Sequence, residues 1–183
     1  RLASGTPVAQ RIPRIMTEDR HYITVLESQF GELTLIATDK GLRAVRWPAE
    51  MANPVPLPDE ITDQPDHPML LATQNQLQEY LCGERKSFDL RFDLRGTEFQ
   101  EKAWLALASI PYGATTTYGE QAALLGRPKA ARAVGAANGR NPISIILPCH
   151  RVVGASGHLV GFAGGLDTKK QILEFEKENA FLC

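Results

Sequence analysis

Long apolar runs are missing from this 183-residue chain, and none approaches the ~20 residues that a membrane-spanning helix needs. The opening stretch, RLASGTPVAQRIPRI, has no continuous apolar core of the kind a signal peptide carries. The first methionine is Met16, so residues 1–15 are expected to be an appended tag or a disordered tail. Cysteine is scarce. Cys82, Cys149 and Cys183 form an odd, widely spaced set, which implies no disulfide framework and fits a reducing compartment. The four histidines, His21, His67, His150 and His158, make no zinc-binding spacing with them, so no metal is expected. Strong net charge is also absent. A formal charge of −1 excludes a globally basic nucleic-acid binder. The balance differs between the halves: residues 1–96 carry 11 basic and 14 acidic side chains, and residues 97–183 carry 9 and 7. The second half therefore permits an anionic partner.

At 43% hydrophobic residues the chain has enough apolar material to bury a core. The first half reads as β-rich. HYITVLES and GELTLIATD alternate apolar and polar residues and are joined near Gly31, and GLRAVRWP follows the DKG turn. Together they predict a small antiparallel meander. The proline-loaded MANPVPLPDEITDQPDHP reads as a loop. MLLATQNQLQEYLC carries Leu70, Leu77, Tyr80 and Leu81 at helical spacing and is stopped by Gly83. KSFDLRFDLRG alternates again and reads as a last strand before a linker.

The second half is helical. Thr97 and Gln100 form a capping-box pattern at the head of TEFQEKAWLALASIP, where Phe99, Ala103, Leu107 and Ile110 trace one face. YGEQAALLG and PKAARAVGAAN read as two short helices separated by GRP, the pattern of a helix-turn-helix. TKKQILEFEKENA reads as a final amphipathic helix. In the second helix of the pair, Ala130, Val134 and Ala137 point one way and Arg132, Gly135, Ala136 and Gly139 the other. A glycine inside a helix costs about 1 kcal/mol relative to alanine. Two readings fit that small-residue stripe. Another helix packs closely on it, or it approaches a large ligand at backbone distance, without the several Arg, Asn or Gln side chains of a major-groove reader.

The chemistry concentrates in ILPCHRVVG. An apolar run, Ile143 to Leu147, reads as a buried strand that ends at Pro148, and Cys149, His150 and Arg151 follow at once. Both cationic neighbours favour a thiolate electrostatically, although His150 reaches the sulfur only through a turn or a bridging water. Asn141, before Pro142, supplies an amide able to hold the cysteine loop by hydrogen bonds. GFAGG downstream offers backbone N–H groups without bulk. Cys82 reads as a small core hydrophobe and Cys183 as an incidental thiol.

PCHRVVG, preceded by RAVGAANGRNPISIIL and followed by GFAGGLDTKKQILEFE, resembles the O6-alkylguanine-DNA alkyltransferases, also called methylated-DNA–protein-cysteine methyltransferases. The resemblance is strong from about Thr97 to Glu176 and loose before it. It implies a mixed α/β (α+β) protein. Residues 16–96 would form a ribonuclease-H-like β-rich domain, and residues 97–183 a mostly helical alkyltransferase and DNA-binding domain with a helix-turn-helix.

The resemblance also implies single-turnover repair by direct reversal. Cys149 would accept the alkyl group, with His150 acting on it through a water and Glu176 orienting the imidazole. Asn141 would brace the site, and Tyr118 would bond guanine N3 and lend a proton to the leaving base. The carbonyls of Cys149 and Val152 and the N–H of Ala163 would hold the flipped base. Phe162 would wall the pocket where the family usually has tyrosine. Arg132 would fill the gap in the base stack. Ala131, Gly135, Ala136, Thr117, Arg140 and Arg151 would complete the DNA face.

The partner would be double-stranded DNA carrying O6-alkylguanine, with O4-alkylthymine left open. The protein would be a monomer that uses no cofactor, metal or membrane. It would be cytoplasmic, nucleoid-associated in a prokaryote or nuclear in a eukaryote. The alternatives are a non-catalytic alkylated-DNA lesion-binding protein and a Cys-dependent hydrolase.

Overall fold

The computed structural model describes residues 19–48 and 55–181. The expected tail at residues 1–15 and Cys183 lie outside them. Strands β1 (Tyr22–Leu26), β2 (Leu33–Thr38) and β3 (Gly41–Arg46) form an antiparallel meander in the order β1-β2-β3. Tyr22 faces Ala37, Leu26 faces Leu33, and a bulge falls between Ile36 and Ala37. Helix α1 (Pro68–Leu81) covers one face of the sheet. Its proline sits in the first turn, where no N–H is needed, and the His67 side chain accepts from Met69 N–H to cap it. Leu70, Thr73, Leu77 and Tyr80 form its buried face. Gly83 takes a positive φ of 79° just past the helix end.

The expected last strand in KSFDLRFDLRG is not one. Only Phe92 bridges Leu42, because Pro142 and Ile143 of the second half take the rest of the β3 edge. There Val45 N–H donates to the Pro142 carbonyl at 2.9 Å. Phe88, Leu90, Phe92 and Leu94 instead pack half-buried against the core.

Helix α2 (Glu98–Ala106) opens with the expected Thr97–Gln100 capping box and tightens into a 3-10 turn at Leu107–Ser109. The short strand β4 (Thr116–Thr117) leads into α3 (Tyr118–Leu124), followed by α4 (Ala131–Asn138). Helix α4 starts at Ala131, later than its sequence suggests, because the chain after Pro128 makes a turn rather than a first helical turn. Buried amides lock the pair: the Gln121 and Asn138 side chains exchange hydrogen bonds of 2.7 and 3.2 Å, and Trp104 Nε1 donates to the Ala137 carbonyl at 2.7 Å. A second short strand, β5 (Val152–Val153), pairs in parallel with β4, and α5 (Leu166–Asn179) closes the fold.

One hydrophobic core runs through both halves. Leu33, Leu35, Leu42 and Val45 of the sheet share it with Trp104, Ile143, Ile145, Leu147 and Ile172. Among the described residues, no helix is long and apolar enough to cross a membrane.

Candidate active site

The apolar run before Pro148 is a tight turn, not the strand its composition suggests. Leu147 N–H donates to the Ile143 carbonyl at 3.0 Å, and Ile145 sits at φ 72°, the only non-glycine residue with positive φ among those described. That conformation is costly for a β-branched side chain and persists only where its surroundings enforce it. Asn141 does the enforcing. Its Oδ1 accepts from Ile143 N–H at 3.0 Å and its Nδ2 donates to the Leu147 carbonyl at 2.7 Å. The bracing inferred from sequence for Asn141 thus corresponds to two bonds across the turn.

The turn delivers Cys149, His150 and Arg151 as one 3-10 turn, with all three side chains buried. Pairing of β4 with β5 sets Thr116 opposite Val152, which ties the start of α3, and hence Tyr118, to this turn. Burial pushes the Cys149 thiol above its ordinary value; Asn141, the Lys169 ammonium and Ser144 oppose that shift.

Behind the thiol lies a buried carboxylate. Glu176 Oε1 is 2.7 Å from His150 Nε2, and Arg151 clamps the same carboxylate with Nε on Oε2 and NH2 on Oε1, both at 2.9 Å. Burial alone would raise the Glu176 pKa, but His150 and Arg151 outweigh it and hold it at about 2. Burial drives the His150 pKa below 6.5, against the pull of Glu176. Burial thus favours the neutral ring. An ionised Glu176 makes Nε2 the protonated nitrogen, so Nδ1, buried and without a partner among the described residues, carries the free lone pair.

Arg151 differs from its expected place on the DNA face. It is 4% exposed, and its remaining nitrogen donates to the Ile110 carbonyl at 2.6 Å. All three of its nitrogens are engaged inside the protein, which turns it away from the surface a phosphate would reach. Cys82 also differs: it caps the C-terminus of α1 and is exposed, since the helix ends there rather than continuing into the core.

The exposed face of α4 carries Arg132, Ala136 and Gly139, with Gly135 half-buried against the Tyr118 ring. A cavity of about 320 Å³ opens beside that face, and Tyr118, Ala131, Arg132, Gly135, Val160 and Gly161 are among its lining. Cys149 is not part of that lining and is only 7% exposed, so the thiol is more enclosed than a pocket floor would be. Burial and the Cys149 charge both raise the Tyr118 pKa, which puts the phenol within electrostatic reach of the thiol. Its hydroxyl donates to the Val160 carbonyl at 3.0 Å. Phe162 stacks edge-on between Trp47 and His150, with centroids at 5.6 and 6.4 Å, and Ala163, like Phe162, packs half-buried against the core. Thr117 spends its hydroxyl capping α3 through Glu120 N–H. Arg140 is exposed past the end of α4.

One central residue escaped the sequence reading. Lys169 is fully buried, and its Nζ donates to the Val152 and Val160 carbonyls at 2.7 Å each and to Gly161 at 3.4 Å. It fastens the loop over the site, and it occupies the Val152 carbonyl that the resemblance assigns to the base. A signal was present: Lys169, Ile172 and Glu176 fall at i, i+3 and i+7, on the inward face of α5.

Comparison with known proteins gives the same family for both halves. The profile of the 6-O-methylguanine DNA methyltransferase ribonuclease-like domain matches residues 21–94, and that of the DNA-binding domain matches residues 98–178. The methylated-DNA–protein-cysteine methyltransferase of Mycobacterium bovis is 47% identical over 160 residues, covering 87% of this chain and 94% of its own. That of Methanosarcina acetivorans is 45% identical over 155 residues, covering 85% and 97%. The crystal structure of Mycobacterium tuberculosis OGT in complex with DNA superposes with a TM-score of 0.78 at 44% identity, over 86% of this chain and 94% of the other.

Proposed function

Because the chain belongs to the methylated-DNA–protein-cysteine methyltransferase family, a family of direct-reversal DNA repair proteins, we propose that Cys149 is its alkyl acceptor and O6-alkylguanine in double-stranded DNA its substrate. The observation that carries this reading is a buried cysteine and a buried histidine in one 3-10 turn, the histidine ring hydrogen-bonded to a buried carboxylate, near a cavity flanked by the small-residue face of α4.

The reaction is a displacement at carbon. The thiol proton passes to His150 Nδ1 through a bridging water, and Lys169 and Asn141 favour the resulting thiolate. The sulfur attacks the alkyl carbon, a C–S bond forms and the C–O6 bond breaks. The electron pair stays on the guanine, which takes up a proton. Tyr118 stands where it can donate that proton once its hydroxyl exchanges the Val160 carbonyl for the base. The thioether product has no hydrolysable bond, so each molecule repairs one lesion, and a monomer suffices.

A damaged base must leave the stack to reach an enclosed thiol, which costs a few kcal/mol. Arg132, exposed on α4 at the cavity edge, fills the gap it leaves. Gly135 and Ala136 let the DNA backbone approach without reading sequence, and Arg140 and Thr117 flank the contact. Phe162 and Ala163 border the base, Phe162 by ring stacking alone.

Cys149→Ala separates repair from lesion binding. The variant is expected to bind alkylated duplex and transfer nothing. Transfer persisting in it would remove Cys149 from the reaction.

A further inference from the structure

The Glu176 carboxylate has a donor from the other half of the chain. Tyr80 lies on α1, in the segment matched by the ribonuclease-like profile, 96 residues away from Glu176. It is fully buried, and its hydroxyl donates to Glu176 Oε1 at 2.7 Å. His150 Nε2 meets that same oxygen at 2.7 Å. Arg151 NH2 donates to Oε1 as a third partner at 2.9 Å, and the opposite oxygen, Oε2, takes Arg151 Nε and the Gly113 N–H. Tyr80 therefore competes with the imidazole for one oxygen's lone pairs and charge. Phe88, Tyr112 and Phe175 pack around its ring and fix the direction of the hydroxyl.

We propose that Tyr80 is a positioning residue for alkyl transfer: by sharing Glu176 Oε1 with His150 it limits the carboxylate charge that the imidazole feels, and so keeps His150 neutral and able to accept the thiol proton. This rests on the acceptor role of Cys149 proposed above. It gives the N-terminal half a part in the chemistry, reached through α1 rather than through DNA.

The charged and titratable groups facing the pair are few. Arg151 comes from the 3-10 turn, Tyr112 from the loop before β4, Lys169 from α5 and Cys149 from the same turn as His150. None of these changes when only the Tyr80 hydroxyl is removed. Burial and the facing Glu176 both raise the Tyr80 phenol well above its ordinary value, so it remains a donor throughout the working range.

The test is the single-turnover rate of methyl transfer as a function of pH, with protein saturating a duplex that carries one O6-methylguanine. In Tyr80→Phe the carboxylate charge falls more fully on His150, whose basicity rises. The acid limb of the profile is expected to move up by roughly half a pH unit to one unit. Site-specific 3-fluorotyrosine at position 80 keeps the bond, strengthens the donor and moves the limb the other way. This second variant retains the test if the phenylalanine protein does not fold. Tyr112→Phe removes a nearby hydroxyl that has no hydrogen-bond partner among the described residues and is expected to leave the limb in place. An unmoved limb in a folded position-80 variant overturns the role of Tyr80 alone. Failure of the unaltered protein to take up methyl overturns the functional reading beneath it.

Discussion

Replacing Asn141 with alanine removes both bonds that hold the cysteine turn. The side chain is 2% exposed, and the Ile143 N–H it satisfies belongs to a fully buried residue. That N–H is left without a partner, at a cost of roughly 1–3 kcal/mol. The Leu147 carbonyl loses one of its two donors but keeps Cys149 N–H at 2.8 Å, a loss of about 1 kcal/mol. The sum, roughly 2–4 kcal/mol, corresponds to a fall in Tm of about 5–15 °C for a chain of this size. Ile145 is then free to leave its left-handed conformation, and the thiol moves with it. A displacement of about 1 Å at a reacting group costs on the order of 100-fold in rate. Thermal melting and single-turnover transfer to Cys149 measure the two effects. Asn141→Asp sharpens the test. It keeps an acceptor for Ile143 N–H, loses the donor to Leu147 and adds negative charge beside the thiol, so it should recover part of the Tm and none of the rate. An alanine variant that melts within about 1 °C of the parent and transfers at the parent rate would refute the bracing argument.

Arg132→Ala is expected to slow repair in duplex DNA more than reaction with a free alkylguanine base; equal losses on both substrates would remove its role in flipping. Lys169→Met keeps the volume but leaves the Val152 and Val160 carbonyls without their ammonium, and transfer should slow by roughly 10- to 100-fold, the worth of a charged hydrogen bond. A parent-like transfer rate in that variant would deny Lys169 a part in activating the thiol. Stability should fall in acid in two stages followed by urea denaturation. His150, depressed below 6.5, contributes stability that is present above pH 6.5 and is lost as pH drops from there through its lower folded value. Glu176, held at about 2 against an ordinary 4.5, contributes about 3 kcal/mol that is present above pH 4.5 and is lost towards pH 2. Unchanged stability across that range would contradict the buried cluster.

Local signals made much of this molecule legible. The alternation in β1 to β3, the Thr97–Gln100 capping box and the Gly/Pro break between α3 and α4 each act within a few residues, and each is found where its sequence puts it. The misreadings share one cause, which is tertiary competition. Ile143 to Leu147 has the composition of a strand, but Asn141 folds it into a turn around a strained Ile145. Residues 88–94 alternate like a strand, yet the edge they would join is shared with Pro142. Arg151 looks like a phosphate contact beside a nucleophile until Glu176, 25 residues away, claims it. The Cys-His-Arg motif marks the proposed nucleophile and base in the sequence. The Tyr80 and Lys169 bonds exist only once α1 and α5 have packed; helical spacing marks Lys169 as inward-facing but does not encode its partners.

The central claim is tested most directly by the intact mass of the protein before and after incubation with a duplex carrying one O6-methylguanine, followed by peptide mapping. The account predicts a gain of one methyl group on the peptide containing Cys149, ceasing at one per molecule however much DNA is added. No gain with binding intact, or a methyl group on any other residue, would contradict it.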